Sequence, residues 1–340
     1  VRAYGKDSVK VAEMLTSIGF VHSQQETFGL AAEHLEEALR IRRVVLGADA
    51  LPVVDDLLNL GGVLAKRESY AAALEQYEEA LRIRKLGLGV GHADTATTLV
   101  LMATVLEAAG LYDQAVERHE EALAVRRALR GDDHPTVALA VDSIAAVRRK
   151  QGMLGAALEK YEEAVEIRRR FYPPNASQVS SALEKVGGLY KEQGQFATAL
   201  QRFEDALKMR TLTNGQNHPE VAAVLGNIGG IQLKLGRAEL AVNAFVEALR
   251  VLRLVHGADS ARVGNHLMRL GRALLETHAI PEAIERFEEA LKIRRVLAGT
   301  DSVLVADTLM QLALAQDTQG PPSAALPLFE EALEVCRRVH

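Results

Sequence analysis

The segments EEALRIRR (36–43), EEALRIRK (78–85) and EEALAVRR (120–127) are close copies of one sequence. The Glu-Glu-Ala-Leu element or a variant of it begins at residues 36, 78, 120, 162, 204, 246, 288 and 330. Each copy starts 42 residues after the previous one, without insertion or deletion. A fixed period of this length indicates a repeat architecture, in which each unit buries its apolar face against its neighbours.

Two alanines and a bulky side chain recur at fixed positions of the copies. The two alanines are seven residues apart and occur in all eight copies, from Ala31 and Ala38 to Ala325 and Ala332. Between them stands Leu35 in the first copy and a ring in the other seven: Tyr77, His119, Tyr161, Phe203, Phe245, Phe287 and Phe329. Small, large and small residues at spacings of four and three share one helical face, which lets a second helix approach closely.

A second amphipathic segment precedes each of these helices and contains pairs such as Leu60-Gly61 and Ile228-Gly229. The pattern predicts helix A, a short turn and helix B in every repeat. In five copies the turn carries a glycine, which accepts the left-handed conformation that ends many helices. These glycines are Gly110, Gly152, Gly194, Gly236 and Gly320.

The loops after helix B include GDDHP (131–135) and GQNHP (215–219). Glycine suits the end of helix B, Asp or Asn is expected to cap the next helix, and Pro fits its first turn. We interpret His134 and His218 as turn-forming residues and expect no metal there. FYPPNAS (171–177) breaks the pattern and predicts a differently shaped loop.

These features resemble the tetratricopeptide repeat family. The Leu-Gly pair of helix A, the two invariant alanines and the ring of helix B carry the resemblance. The 42-residue period, the Gly-x-Asp/Asn-His-Pro loops and AALPLFEEALEV (324–335) are similar to the kinesin light chain and nephrocystin branch. The resemblance covers essentially the whole chain. It implies an all-α fold, a right-handed superhelical solenoid of about eight helix-turn-helix repeats.

The expected repeat starts lie near residues 12, 54, 96, 138, 180, 222, 264 and 306. Residues 1–11 are expected to be the tail of a preceding repeat or a linker. Neither end shows the polar capping helix that solenoids normally need. We therefore expect a segment of a longer protein, or ends that partners cover.

Bulk properties limit the functional classes. The net charge of −5 argues against a general nucleic-acid binder, and no apolar run is long enough to insert into a membrane. Cys336 is the single cysteine, so no internal disulfide is possible, which fits a reducing, cytoplasmic location. No HExxH or phosphate-binding loop motif occurs, and nothing activates the Cys336 thiol. We expect neither an enzyme nor a cofactor.

In the family that this chain resembles, helix A lines the groove that binds peptides. Basic residues concentrate in the middle and later copies, which predicts an acidic or carboxylate-bearing peptide. The alternative is a solvated face without a ligand. Arg149, Lys191 and Arg269 are expected to be exposed. The resemblance assigns to the groove Asn59, Arg149, Lys185, Lys191, Asn227, Lys234, Asn265, Arg269 and Arg272, with Asp55, Asp142, Lys150, Glu184 and Asp307 beside them.

The arginine-rich end of helix B has two interpretations. Capping and ion pairs, such as Glu36 with Arg40 and Glu78 with Arg82, stabilise a helix and its contacts. A ladder of phosphate-binding arginines is the alternative. Acids accompany the arginines in every copy, which favours ion pairing.

The resemblance implies a non-catalytic scaffold or adaptor that holds a peptide or helix, or a structural subunit of a large assembly. Components of cytoskeletal motors or cilia are the partners that this branch suggests. The carboxylate clamp of chaperone-binding relatives is disfavoured, because only Asn227 and Arg269 match it while Glu184, Gly188 and Asn265 do not. One alternative is the sensor or regulatory arm of a signalling ATPase or transferase, and another is an RNA-binding helical repeat.

Overall fold

The computed structural model describes residues 8–173 and 176–339, and all the regular structure in these ranges is α-helical. Odd-numbered helices are helix A and even-numbered helices are helix B of eight successive repeats, so the predicted all-α repeat fold is confirmed. The helices are α1 (Val9–Gln24), α2 (Phe28–Leu46), α3 (Leu51–Lys66), α4 (Tyr70–Leu88), α5 (Ala93–Ala108), α6 (Tyr112–Arg130), α7 (Pro135–Lys150), α8 (Leu154–Phe171), α9 (Ser177–Glu192), α10 (Phe196–Asn214), α11 (Pro219–Lys234), α12 (Ala238–His256), α13 (Ala261–Glu276), α14 (Ile280–Ala298), α15 (Val303–Gln319) and α16 (Pro322–Val339).

The first repeat begins earlier than the sequence predicted. Residues 9–11, which were assigned to a tail or linker, lie in α1, and Ser8 caps that helix. Residues 1–7 of the predicted tail lie outside the described residues. Part of the FYPPNAS segment also lies outside them, namely Pro174 and Asn175. Its described part shows that α8 ends at Phe171.

The chain divides into two compact units, Val1–Phe171 and Tyr172–His340. Within each unit, helix A packs on its own helix B, and helix B packs on the next helix A. The first core includes Leu35, Leu57 and Ile83. The second includes Phe245, Leu267 and Phe287. Each repeat is thus stabilised mainly by its neighbours in the sequence.

The ring of helix B packs directly on the backbone of helix A. A methyl group placed on Gly187 would lie 2.9 Å from Cε2 of the buried Phe203. On Gly271 it would lie 2.5 Å from Cε1 of the buried Phe287. The small residue that the sequence showed in helix A is therefore required by the ring that faces it.

Substitution of Gly187 by alanine should destabilise the second unit. The added methyl overlaps the Phe203 ring, so we expect the free energy of unfolding to fall by about 1–3 kcal/mol. Gly188→Ala is the matched control in the same helix, because no atom lies within 4 Å of its added methyl. It should be neutral or stabilise by up to about 1 kcal/mol through helix propensity. Denaturant unfolding followed by circular dichroism measures both, and equal effects would contradict the packing argument.

The turn between helix A and helix B uses one left-handed residue in most repeats. Four of the five predicted glycines are left-handed, with φ of 76° at Gly110, 77° at Gly152, 74° at Gly194 and 70° at Gly236. The prediction is wrong for Gly320, whose φ is −148° because α15 continues to Gln319. Glu26, Glu68 and His278 occupy the same turn position with φ of 60°, 61° and 60°.

Glycine at one of these strained positions should stabilise the protein. Glu68→Gly removes the steric penalty of the left-handed conformation, so we expect a gain of about 1 kcal/mol in the free energy of unfolding. The reciprocal change, Gly152→Glu, should lose a similar amount. The thermal unfolding midpoint reports both, and a loss of stability in Glu68→Gly would show that its side chain matters more than its backbone.

Histidine, not Asp or Asn, caps helix A after several loops. Nδ1 of His134 accepts a hydrogen bond from the Thr136 amide at 3.2 Å, and Nδ1 of His218 accepts one from the Glu220 amide at 3.3 Å. The prediction of an Asp or Asn cap is therefore wrong for these helices. Pro135 and Pro219 stand at the first helical position, as predicted.

A series of arginines near the end of helix B links neighbouring helices. Its members are separated by multiples of 42 residues: Arg42, Arg84, Arg126, Arg168, Arg210 and Arg294. Nη2 of Arg168 lies 2.6 Å from Oδ2 of Asp142, and both side chains are buried. Arg294 donates to Asn265 Oδ1 at 3.0 Å in its own repeat and to Thr308 Oγ1 at 2.7 Å in the next one. These arginines therefore belong to the repeat interfaces.

The next residue along helix B forms a second type of link. Three arginines pair with the glutamate 36 residues later, on the helix B that follows: Arg127 with Glu163, Arg253 with Glu289 and Arg295 with Glu331. Within one helix, Arg40 pairs with Glu37, and Arg82 pairs with Glu79. The predicted pairs with Glu36 and Glu78 are wrong by one residue, because the side chains meet at a spacing of three. Ion pairing between repeats is confirmed.

Removal of one partner from the buried Arg168–Asp142 pair should be costly. We expect Asp142→Ala to lower the free energy of unfolding by about 3–5 kcal/mol, because Arg168 is left buried without its counter-charge. The double variant Asp142→Met with Arg168→Leu introduces the residues of the equivalent positions, Met268 and Leu252. It should recover most of the loss. Equilibrium unfolding measures the cycle, and a double variant as unstable as Asp142→Ala would contradict this account.

Candidate peptide-binding surface

A cavity of about 350 Å³ opens on the first unit between α1, α3 and α5. We call it the α3 cavity. Leu35 and Tyr77, both buried, form its floor. Phe20, Leu58 and Leu101 form its walls, and 61% of Phe20 is exposed. The space exists because Gly62 follows Phe20 by one repeat and carries no side chain that could fill it.

Polar groups stand at the rim of the α3 cavity. Asn59 is exposed and makes no hydrogen bond to another described residue, so both donor and acceptor of its amide are available. Nζ of Lys66 donates to Ser23 Oγ at 3.3 Å and lies 5.8 Å from the centre of the Phe28 ring. Of the predicted site residues, Asn59 is the one that lines this cavity.

A charged network joins α5, α6 and α7 in the same unit. Nε2 of the buried His119 lies 3.1 Å from Glu107 Oε1, and Lys150 Nζ lies 2.8 Å from Glu107 Oε2. The His119 hydrogen bond is the main reason that the pKa of Glu107 is lowered. Glu107 in turn raises the pKa of Lys150. Lys150 is therefore paired within the chain, although its side chain is exposed, as is that of its neighbour Arg149.

Three predicted basic residues are exposed on the A helices of the second unit. Lys185 and Lys191 lie on α9, and Lys234 lies at the end of α11. Asn227, on α11, is half-buried. These four remain predicted peptide contacts.

The prediction that Arg269 is exposed is wrong. Its guanidinium carbon lies 4.9 Å from the centre of the Phe245 ring, and its Nη2 donates to the Gly226 carbonyl. Burial lowers the pKa of Arg269. Gly226 and Gly230 leave α11 bare enough for this side chain to lie across it. Arg269 therefore holds α13 against α11.

Other predicted groove residues bond to side chains of neighbouring helices, although Asn265 and Arg272 are themselves exposed. Asn265 accepts a hydrogen bond from Arg294, and Arg272 lies 3.3 Å from Asp307. Glu184 accepts from Arg210 at 3.0 Å, and burial raises its pKa. Three acidic residues predicted beside the groove, Asp142, Glu184 and Asp307, are acceptors for the arginine series. Asp55 is exposed.

The described residues offer little chemistry besides a binding surface. In the described ranges, no three His, Cys, Asp or Glu side chains are grouped so that they could hold a metal ion. Cys336 is an exposed free cysteine. None of the described helices combines the length and apolar character needed to cross a membrane.

The Tetratricopeptide repeat family model matches residues 10–86, 94–170, 178–254, 229–295 and 262–338. The chain belongs to the tetratricopeptide repeat family. The repeats of this family form scaffolds for protein–protein interaction. No curated protein matches the chain by sequence.

Several solved structures share the fold of this tetratricopeptide repeat protein. BtubC (BKLC) from P. vanneervenii has a TM-score of 0.54 at 22% identity, over 67% of this chain and 89% of that one. The putative kinesin light chain repeats of P. anserina give 0.53 at 18%, over 60% and 97%. A repeat-containing protein from Cytophaga hutchinsonii gives 0.57 at 14%, over 82% and 95%. The kinesin light chain-like recognition is confirmed at the level of the repeat fold.

Sequence reasoning missed the apolar walls of the α3 cavity. Phe20 stands at the helix A position that holds Gly62, Thr104, Ala146, Gly188 and Gly230 in later repeats. Leu101 stands at the helix A position that holds Asn59 and Asn227 in other repeats. Comparison of the copies for side-chain size, as well as for charge, would have marked both residues.

Proposed function

We propose that the chain is a non-catalytic scaffold that binds an extended peptide segment on the A helices of the first unit. One apolar side chain of the peptide enters the α3 cavity, and Asn59 bonds to the peptide backbone beside it. The cavity of about 350 Å³, with apolar walls and an unpaired amide at its rim, is the observation that carries the proposal.

The chemistry of the cavity sets the expected affinity. Complete burial of one aliphatic or aromatic side chain contributes about 1.5–3 kcal/mol. An amide that bonds to an extended backbone adds about 0.5–1.5 kcal/mol and fixes the direction of the peptide. Such an anchor supports a modest affinity, which further contacts along the A helices would increase.

The proposal extends to an acidic peptide on the second unit, to the class of partner and to the location. The exposed Lys185, Lys191 and Lys234 support an acidic peptide on the second unit. Similarity to a putative kinesin light chain is the support for a cytoskeletal motor component as partner, and ciliary components follow from the branch alone. The lone free cysteine supports a cytoplasmic location. Packing into a large assembly and a regulatory arm of an ATPase or transferase remain the alternatives.

Peptides selected by display on the purified chain would test the α3 cavity. Leu101→Arg places a charge in its wall and should weaken the selected peptides at least about tenfold, because an apolar anchor would then meet a charged group. Asn59→Ala should weaken them about three- to tenfold. Fluorescence anisotropy measures the affinities.

Gln311→Arg is the matched control, because residue 311 occupies in the last repeat the position that Leu101 occupies in the third. It should leave binding unchanged. If the selected peptides bound Leu101→Arg as tightly as the parent chain, the α3 cavity would not be the binding site.

A further inference from the structure

A smaller cavity, of about 230 Å³, lies where α5 begins, α6 ends and α7 begins. We call it the Arg126 pocket. Arg126 and Arg130 line it from α6, and Leu129 and Leu139 form apolar walls. Ala93, the first residue of α5, brings the amide end of that helix to the pocket, where the helix dipole favours an anion.

Arg126 differs from the other arginines of its series. Its one hydrogen bond within the described chain goes to the Thr136 carbonyl, at 3.3 Å. Arg42, Arg168, Arg210 and Arg294 each contact a carboxylate. Arg84 lacks one but bonds to the Thr98 hydroxyl at 2.7 Å and to the Asp94 carbonyl at 2.8 Å. Arg126 is thus half-buried with one long hydrogen bond and no carboxylate partner among the described residues. Burial lowers its pKa.

Alignment of the repeats shows which acidic residues are absent around Arg126. The carboxylates of the series stand 26 residues before the arginine (Asp142, Glu184) or 10, 13 or 14 residues after it (Glu220, Asp307, Asp56). Around Arg126 those four positions hold Val100, Thr136, Leu139 and Ala140. Every internal acid that the fold uses for this arginine is absent at this junction.

Arg130 of the pocket is also specific to this repeat. Arg130 aligns with Leu46, Leu88, Tyr172, Asn214, His256, Ala298 and His340, so no other copy has an arginine or lysine there. No partner for Arg130 occurs among residues 8–173 and 176–339. The loop acids nearby pair elsewhere: Asp132 lies 3.2 Å from Arg127 Nε, and Asp133 lies 3.1 Å from Arg170 Nη1. Two guanidinium groups therefore share a pocket that the chain itself does not neutralise.

We infer that the Arg126 pocket binds a carboxylate on a short aliphatic stem, the side chain of a glutamate in the partner peptide. The two guanidiniums meet the carboxylate, and Leu129 and Leu139 pack on the stem. The inference rests on the proposed function for its partner. Thr97 of this pocket and Leu101 of the α3 cavity are four residues apart on α5, so one extended peptide can reach both.

The first experiment uses acetyl-glutamate amide as the probe, with the isosteric acetyl-glutamine amide as its neutral match. Titration into the ¹⁵N-labelled chain should shift the Arg126 and Arg130 Nε–H signals with the acid and leave them in place with the amide. Inorganic phosphate is the third probe. An equal response to phosphate would overturn the assignment to a carboxylate, and an equal response to the neutral amide would overturn the site altogether.

Three variants locate the effect. Arg126→Gln should lower the affinity for the acidic probe about tenfold or more, because a charge-assisted hydrogen bond is lost. Arg130→Leu restores the residue of the first two repeats and should weaken it as well. Leu139→Asp supplies an internal acid at the position of Asp307 and should abolish binding while preserving the fold. Arg118→Gln, an equal charge change on α6, should have no effect.

The same variants separate this inference from the proposed function. Leu101→Arg should weaken the binding of the display-selected peptides at least about tenfold and leave the binding of the acidic probe unchanged. Leu139→Asp should abolish binding of the probe. It should weaken the binding of a selected peptide only if that peptide carries a glutamate. Peptides whose affinity survives both Leu139→Asp and replacement of their glutamate by glutamine would overturn the Arg126 pocket and leave the α3 cavity standing.

Discussion

The contact between the helix B ring and the bare backbone of helix A is the constraint on which the repeats depend. Phe203 on Gly187 and Phe287 on Gly271 bring the two helices so close that a methyl group has no room. The alanines on either side of the ring exist for the same reason, because they let the helices approach. Because a small helix A residue meets the helix B side chain in every repeat, each repeat presents a similar surface to the next one.

The arginine series depends on that fixed geometry. An arginine at one place near the end of helix B always faces the same few positions of the A helices, so each junction can satisfy it differently. Asp142, Glu220 and Asp307 do so from three different positions. The acidic residues that faced a ligand in the sequence interpretation are therefore mostly internal acceptors. The residues that stay exposed on the A helices include Phe20, Asn59 and Arg149 in the first unit, and Lys185, Lys191 and Lys234 in the second.

A repeat protein supplies its own internal comparison, and departures from the repeat indicate where it does something besides fold. Phe20 stands where most copies have a small residue, and Leu139 stands where Asp55 and Asp307 are found in other copies. No other copy has an arginine or lysine at the position of Arg130. All three side chains are exposed, so the packing of the repeats does not explain these residues. The α3 cavity and the Arg126 pocket are both assembled from such departures.

The sequence alone determined the repeats, their helical pairs and most of the turn glycines, because these follow from local spacing and backbone sterics. It predicted the A helices as the binding face and Asn59 as one of its residues. It could not show that Arg269 lies across α11 on Phe245, or that Asn265 and Glu184 bond to buried arginines. Those outcomes depend on contacts between residues 24 to 43 positions apart in the sequence. The type of a polar residue does not show whether its side chain is exposed or buried. Only the side chains packed around it in the folded protein determine that.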